Sequence, residues 1–436
     1  MKKTVLVSLL SLALAGFAGV AQAATEAEVD ATFYPYKAGF PSFPGLTPGT
    51  VVSKANVDQF KDVLDAANYQ LIKEGWYEIT VGATFDFPNP KGYVEATRKH
   101  AASVKLGAKT GELLGFVGGR PFPEEIKLSD PRAGEKVIWN FKYGINWGES
   151  ASVAPFIWKY KNANTGQLER TLKFNFHFLN FMHRTDNAPI PEITPNPSKL
   201  FRAIYLNTLE PQDLKNTQLL IQKYSDDLKF DDAYLYLGFQ RRVRRLATGQ
   251  VTDAFLGSDL MIEDFEGYES RVSDMKWTFL GTKNLLMPYY KHNEQKLTDE
   301  FKEPDGYKFV DFGGKGKCAP IITWQLRKVY ELQSEPVDKG HPISKRVMYL
   351  DAQVFGASRT MIYDRKGELW KSFTIGKAHP DFHLPVNKGT GIALDDSFSM
   401  IDVQSKHCTT GQFKGQVDQK LSPATLFQVQ NMRGAD

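Results

Sequence analysis

The chain has 436 residues, 42% hydrophobic and 13% aromatic, with two cysteines and a formal charge of +4. That is ample for a sizeable core, and the near-neutral balance gives no electrostatic reason to expect a nucleic-acid partner. Two cysteines are too few to make a metal site by themselves.

Residues 1–23 read as an export signal. Lys2 and Lys3 are followed by an apolar run from Val5 to Val20 and by Ala21-Gln22-Ala23, an A-x-A cleavage site. Taking 23 residues from 436 leaves a mature chain of 413, with a net charge near +2. No later stretch is long and apolar enough to span a membrane, so the exported mature chain is expected to be soluble and not membrane-spanning. In an exported chain Cys318 and Cys408 read as one disulfide, which would stabilise by about 4 kcal/mol through loop closure. Two free thiols are the alternative.

Residues 24–50 are expected to be an extended N-terminal segment, because Phe33 to Pro48 is rich in Pro, Gly and aromatics. Phe33, Tyr34, Pro35, Tyr36 and Phe43 could form an exposed aromatic patch. Val57, Phe60, Val63, Leu64, Ala67 and Leu71 predict one amphipathic helix, capped by Ser53 or Asn56 and ended by Gly75. A weaker helix is expected from Tyr93 to about Lys105. Residues 51–436 then form a single large domain.

From Lys136 the period is mostly two. Leu172, Phe174, Phe176 and Phe178 alternate with Lys173, Asn175 and His177. Similar segments at 79–85, 136–141, 156–160, 234–237, 277–280, 322–332, 346–354, 360–363 and 369–373 predict a large antiparallel sheet. Asp364-Arg365-Lys366-Gly367 is a turn between two of them. If helices do not fill the concave face, Phe174, Phe176, Phe178, Tyr236, Trp277 and Tyr349 would line an apolar ligand cavity; otherwise they are ordinary core.

Tyr234 to Tyr268 reads as a strand, an arginine cluster, a polar turn and an apolar-acidic return, Phe255 to Phe265. Arg242 and Arg244 could hold an anionic group at a cavity rim. The alternative is cross-strand pairing of the arginines with Asp253, Asp259, Glu263, Asp264 or Glu266. His379, Asp381 and His383 could meet on one side of an extended segment and hold zinc, or be a chance feature of a Pro-rich loop. No nucleophile elbow, zinc-protease motif or phosphate loop is present, so no catalytic residue and no cofactor is assigned.

Gly118-Gly119-Arg120-Pro121-Phe122-Pro123, Asp130-Pro131, Val137-Ile138-Trp139-Asn140-Phe141, the RRVRRL core and FLGSDLMIEDFEGY resemble an uncharacterised family of exported proteobacterial proteins. The second part is similar to the LolA/LolB-like outer-membrane lipoprotein-sorting superfamily. The resemblance covers the chain from Leu46 to its C-terminus. It implies an α+β, mostly β fold: a curved antiparallel half-barrel with helices covering its concave face. In the superfamily the cavity takes acyl chains. Members of the narrower family are typically encoded beside RND-type exporters and outer-membrane barrels, which implies carriage of a hydrophobic small molecule or lipid across the periplasm with a possible envelope transporter complex. This chain is about twice the length of the lipoprotein carriers, with the excess in its N-terminal third and in loops such as 290–306. Lipoprotein itself is therefore not carried over as the cargo. The other readings are an adaptor without cargo and an envelope-polymer hydrolase.

Overall fold

A computed structural model describes residues 24–246 and 250–432, so the expected export signal lies outside the described residues. Four helices come first: α1 (Glu26–Phe33), α2 (Ala66–Lys73), α3 (Lys91–His100) and α4 (Ala133–Lys142). Thirteen strands follow: β1 (Ser150–Asn162), β2 (Leu168–Asn180), β3 (Leu200–Glu210), β4 (Gln218–Tyr224), β5 (Asp232–Leu237), β6 (Arg242–Arg245), β7 (Met275–Met287), β8 (Thr323–Pro336), β9 (Ile343–Asp351), β10 (Ala357–Asp364), β11 (Leu369–Ala378), β12 (Leu394–Asp402) and β13 (His407–Gln416).

These belong to one 16-stranded sheet that does not close. Its order is β7-β8-β9-β10-β11-β12-β13-β1-β2-β3-β4-β5-β6. The other three strands are short. Ile79–Val81 pairs parallel to the start of β8 and antiparallel to Val51–Val52, and Tyr289–Tyr290 pairs parallel to β11. Each half, β1–β6 and β7–β13, is a meander of sequential antiparallel neighbours. They meet where β13 pairs with β1 over His407↔Asn162 to Gln416↔Ser152. The expected turn is present, with Gly367 N–H donating to the Asp364 carbonyl at 2.9 Å.

The sheet has an inner and an outer face, set by the strand period of two. Phe156, Trp158, Phe174, Phe176, Phe178, Phe373, Phe398 and Phe413 point inward and form the largest apolar cluster with Phe255 and Phe265. Residues 250–274 run from β6 at one sheet edge to β7 at the other and lie across this inner face, beside α4. The outer face is covered by Val57–Val63, α2 and residues 291–322, and carries the expected disulfide between Cys318 and Cys408.

Four local expectations are corrected. Residues 136–141 are helical in α4, not a strand. Val137, Ile138 and Phe141 face Trp277, Phe279 and Met348, while Gly134 lies where a Cβ would come within 2.5 Å of the Trp277 carbonyl oxygen. The single helix over 57–71 is broken into a 3-10 turn and α2, because Asp65 caps Asn68 N–H and at the same time binds Arg359. Residues 26–33 are not extended: Thr25 and Glu28 form a capping box that starts α1, and Phe33 and Tyr36 are buried. That leaves Tyr34 and Phe40 exposed and removes most of the expected aromatic patch. Finally, 255–265 is no return strand; it folds as irregular turns against the inner face.

Candidate functional site: an aromatic face under an acidic plug

The inner face is aromatic because β1 and β2 alternate large inward side chains with polar outward ones. Phe156 stacks on Phe413 at 4.1 Å between centroids, and Trp147 stacks on Phe178 at 5.4 Å. The covering segment, here the plug, inserts Phe255, Leu260, Met261 and Phe265 into this surface. Phe265 meets Trp158, Phe176 and Phe255 edge-on, with centroids between 5.3 and 6.2 Å away. The space left beneath the plug is a cavity of about 50 Å3, lined by Phe156, Trp158, Phe176, Phe178, Leu260, Phe265 and Phe398 among others. That holds a few waters, whereas small-molecule sites run to about 300 Å3 or more.

The plug's backbone is unusual. Leu256 and Glu266 both adopt left-handed conformations, with φ of 49° and 55°. Such φ values in residues other than glycine cost about 1 kcal/mol or more and persist only where the surroundings impose them.

The plug's polar residues are all acids in its central stretch, and each finds a cation on the sheet. Asp259 accepts from His407 Nδ1 at 2.7 Å and from Thr409, and its carbonyl accepts from Lys371 Nζ at 2.5 Å. Glu263 and Asp264 share Arg346, at 2.8 and 2.5 Å. Glu266 binds Arg202 of β3 with both oxygens, at 3.2 and 3.3 Å. Arg202 Cζ lies 5.1 Å from the Phe178 ring centre, and its Nε is buried without a hydrogen-bond partner. Close by, Lys377 of β11 pairs with Asp395 of β12 and donates to Asn146 Oδ1 at 3.1 Å. Glu266 and Asp395 both line the aromatic cavity, so its end is polar. Burial, countered by Arg202, raises the Glu266 carboxyl to about 7.

Two larger hollows lie nearby, of which the first borders the plug. One of about 520 Å3 lies between the sheet's two ends, lined by Ile221 and Ala233 on one side and Met275, Val337 and His341 on the other, with Ile262 of the plug between. The other, of about 230 Å3, is lined by Tyr143, Phe201, His183 and Arg202.

The residues singled out in the sequence are distributed as follows. Phe176 and Phe178 line the cavity, and Phe174 packs beside them against Phe255. Trp277 lies under α4 and donates to the Val272 carbonyl. Tyr349 is on the outer face, donating to Glu331, and Tyr236 packs with Phe427 and Met432 in a separate cluster. Arg242 and Arg244 are exposed on edge strand β6 and line none of these hollows. The expected pairing of the arginine cluster with the following acids is corrected. Arg245 binds Asp232 and Arg244 donates to Gln240, while Glu263, Asp264 and Glu266 take Arg346 and Arg202.

The zinc expectation is also corrected. His379 accepts from Asp381 N–H and packs on Phe87, and Asp381 accepts from Gly389 N–H, so neither turns toward His383. His383 instead joins His292 and Asp396 on the outer face, the one group of three such side chains with clustered donor atoms among the described residues. Hydrogen bonding there explains the cluster. Asn387 Oδ1 accepts from Val417 N–H, so its amide nitrogen faces His383 Nδ1 at 2.9 Å and the Gly415 carbonyl. Nδ1 is then an acceptor, and the ring proton sits on Nε2, which faces Asp396 and Tyr307. A protonated nitrogen is no metal ligand.

No described helix is long and apolar enough to cross a membrane. Residues 51–433 match the family model described as protein of unknown function (DUF1329), and the chain belongs to that family. None of the curated proteins matches it. Among solved structures it is similar to a DUF1329 family protein from Desulfovibrio piger, at 17% identity and TM-score 0.47, covering 69% of this chain and 98% of that one. It is also similar to a provisionally assigned outer-membrane lipoprotein-sorting protein domain from Vibrio parahaemolyticus, at 17% identity and TM-score 0.44, covering 67% and 94%. A LolA superfamily protein from Nitrosomonas europaea matches at 11% and 0.37, covering 66% and 93%.

Proposed function

We propose that this DUF1329 chain is a periplasmic carrier or chaperone for a hydrophobic ligand, lipid-like or aromatic, working with an RND-type exporter or an outer-membrane barrel. One observation carries the reading: the aromatic inner face is covered by an irregular, locally strained segment and not by a regular element. A ligand would take the place of the plug's apolar side chains.

The magnitudes allow such an exchange. Exposing Phe255, Leu260 and Phe265 costs about 1.5–3 kcal/mol each. A ligand that buries about 300 Å2 of apolar surface recovers about 7.5 kcal/mol at 25 cal/mol per Å2, which is of the same size. Release of the two left-handed residues favours the open form by a further small amount. The partner membrane proteins rest on the family resemblance alone.

Native mass spectrometry of protein purified from its own cell envelope tests the reading. A bound apolar mass, or saturable binding of a hydrophobic dye that an apolar competitor displaces, supports it. A chain that is empty and binds neither dyes nor fatty acids overturns it.

A further inference from the structure

We propose that the ligand is an apolar molecule bearing one carboxylate, and that Arg202 binds that carboxylate in place of Glu266. This rests on the carrier reading and specifies its cargo.

The first ground is charge balance. Two acids, Glu266 and Asp395, line the polar end of the aromatic cavity, and each is paired with a cation behind it, Arg202 and Lys377. Three of the four belong to the sheet. Only Glu266 comes from the plug. If the plug withdraws, the sheet keeps Arg202, Lys377 and Asp395, a net charge of +1 at the end of an apolar cavity. An unpaired buried charge is strongly unfavourable, so a ligand that brings one negative charge to Arg202 is favoured over a neutral one.

The second ground is geometry. Arg202 presents its two terminal nitrogens to both oxygens of one carboxylate, the bidentate contact that a guanidinium makes best. The same guanidinium lies over Phe178, which lines the apolar part. Its buried Nε, without a partner now, remains free for a third contact. Adjacent plug residues therefore already imitate the ligand: the Phe265 ring occupies the aromatic cavity and the next residue's carboxylate occupies Arg202. Glu266 holds that place from a left-handed backbone, so a free carboxylate of the right length competes with a strained one. Burial also holds the Glu266 carboxyl at about 7, which weakens its claim on Arg202 near neutral pH.

The test compares decanoate with decanol by titration calorimetry at pH 8, using the full mature protein. Decanoate is expected to bind at least tenfold more tightly. Arg202→Gln should bring the decanoate-to-decanol ratio close to one. Glu266→Gln, which removes the competing charge and keeps the side-chain shape, should raise the ratio severalfold. Equal binding of the two compounds to the unaltered protein overturns the proposal and leaves the carrier reading standing. Binding of neither overturns the carrier reading and this proposal with it. If Arg202→Gln does not fold, an unchanged ratio in Glu266→Gln overturns the proposal.

Discussion

The two faces of the sheet are covered in different ways. On the outer face the cover is fixed by contacts that cannot be exchanged cheaply. Arg359 holds Asp65 with both side chains fully buried, at 2.8 Å; Arg327 holds Asp351 at 2.6 Å and the Phe85 carbonyl at 2.9 Å; and Cys318 is bonded to Cys408. On the inner face the cover is an irregular segment with two strained residues, one of which, Glu266, can take up a proton near neutrality. Both faces use buried charge, so charge alone does not decide rigidity. What differs is that the outer cover is tied down by a disulfide, whereas the inner cover is irregular and strained and one of its acids can let go of its cation by taking up a proton.

That contrast can be broken by substitution. The largest effect is expected for Arg359→Leu, which strands Asp65 in the core and should cost about 3–5 kcal/mol in urea unfolding. Arg202→Leu should cost only about 1–2 kcal/mol, because Glu266 can protonate instead of remaining as an unpaired ion. Equal losses would mean that the two covers are equally fixed.

Truncating rings gives the next comparison. Phe398→Ala, in the sheet, should cost about 3–5 kcal/mol. Phe265→Ala, in the plug, should cost about 1–2 kcal/mol and increase hydrophobic-dye binding, because the irregular segment can settle into the space. A plug variant as costly as the sheet variant, with no gain in dye binding, would sink the distinction.

The effect on pH dependence, spread over several pH units, has opposite signs at two histidines. On the outer face His292 lies 2.8 Å from Asp396; burial lowers its pKa, but the carboxylate outweighs this and the net direction is upward. Its stabilisation is present below about pH 6.5 and is lost as pH rises through the raised value. His183, half-buried at the end of the sheet, is pushed by burial down to about 4. Its contribution is present above about pH 6.5 and is lost as pH falls toward 4, by at most about 3 kcal/mol and less for its partial exposure. Unfolding curves between pH 4 and 8 should therefore lose their acid limb in His183→Asn and their alkaline limb in His292→Gln. No change in either would remove both assignments.

Much of the sheet was legible in the sequence, and the reason is local. The 172–178 alternation, the Asp364–Gly367 turn and the two cysteines each carry their signal within a few residues or through a simple count. Strands β3, β4, β12 and β13 gave a weaker one. β12 reads LDDSFSMID and is buried on both faces, so polarity does not alternate along it. Val137, Trp139 and Phe141 imitate a strand, although their helix also buries Ile138 and Asn140. The site was harder still. The acids of 259–266 stand close in sequence to the 241–245 arginines, but their partners, Arg202, Arg346, Lys371 and His407, lie up to about 150 residues away. Sequence distance misled because the plug spans the whole width of the sheet. The glutamate in a left-handed turn offered no pattern that could be read in advance.

The seam between β1 and β13 has a consequence for how the molecule is made. The strands it joins are residues 150–162 and 407–416, so β1 emerges early in synthesis and its neighbour last. Until β13 arrives, β1 is an unpaired edge with Phe156 and Trp158 facing water, the kind of surface that recruits other chains. Pairing across such a sequence separation is also slow. Nascent protein should therefore depend on a holding factor until residues 407–416 are free to pair. Truncation just before His407 should yield aggregate, with no smaller soluble domain.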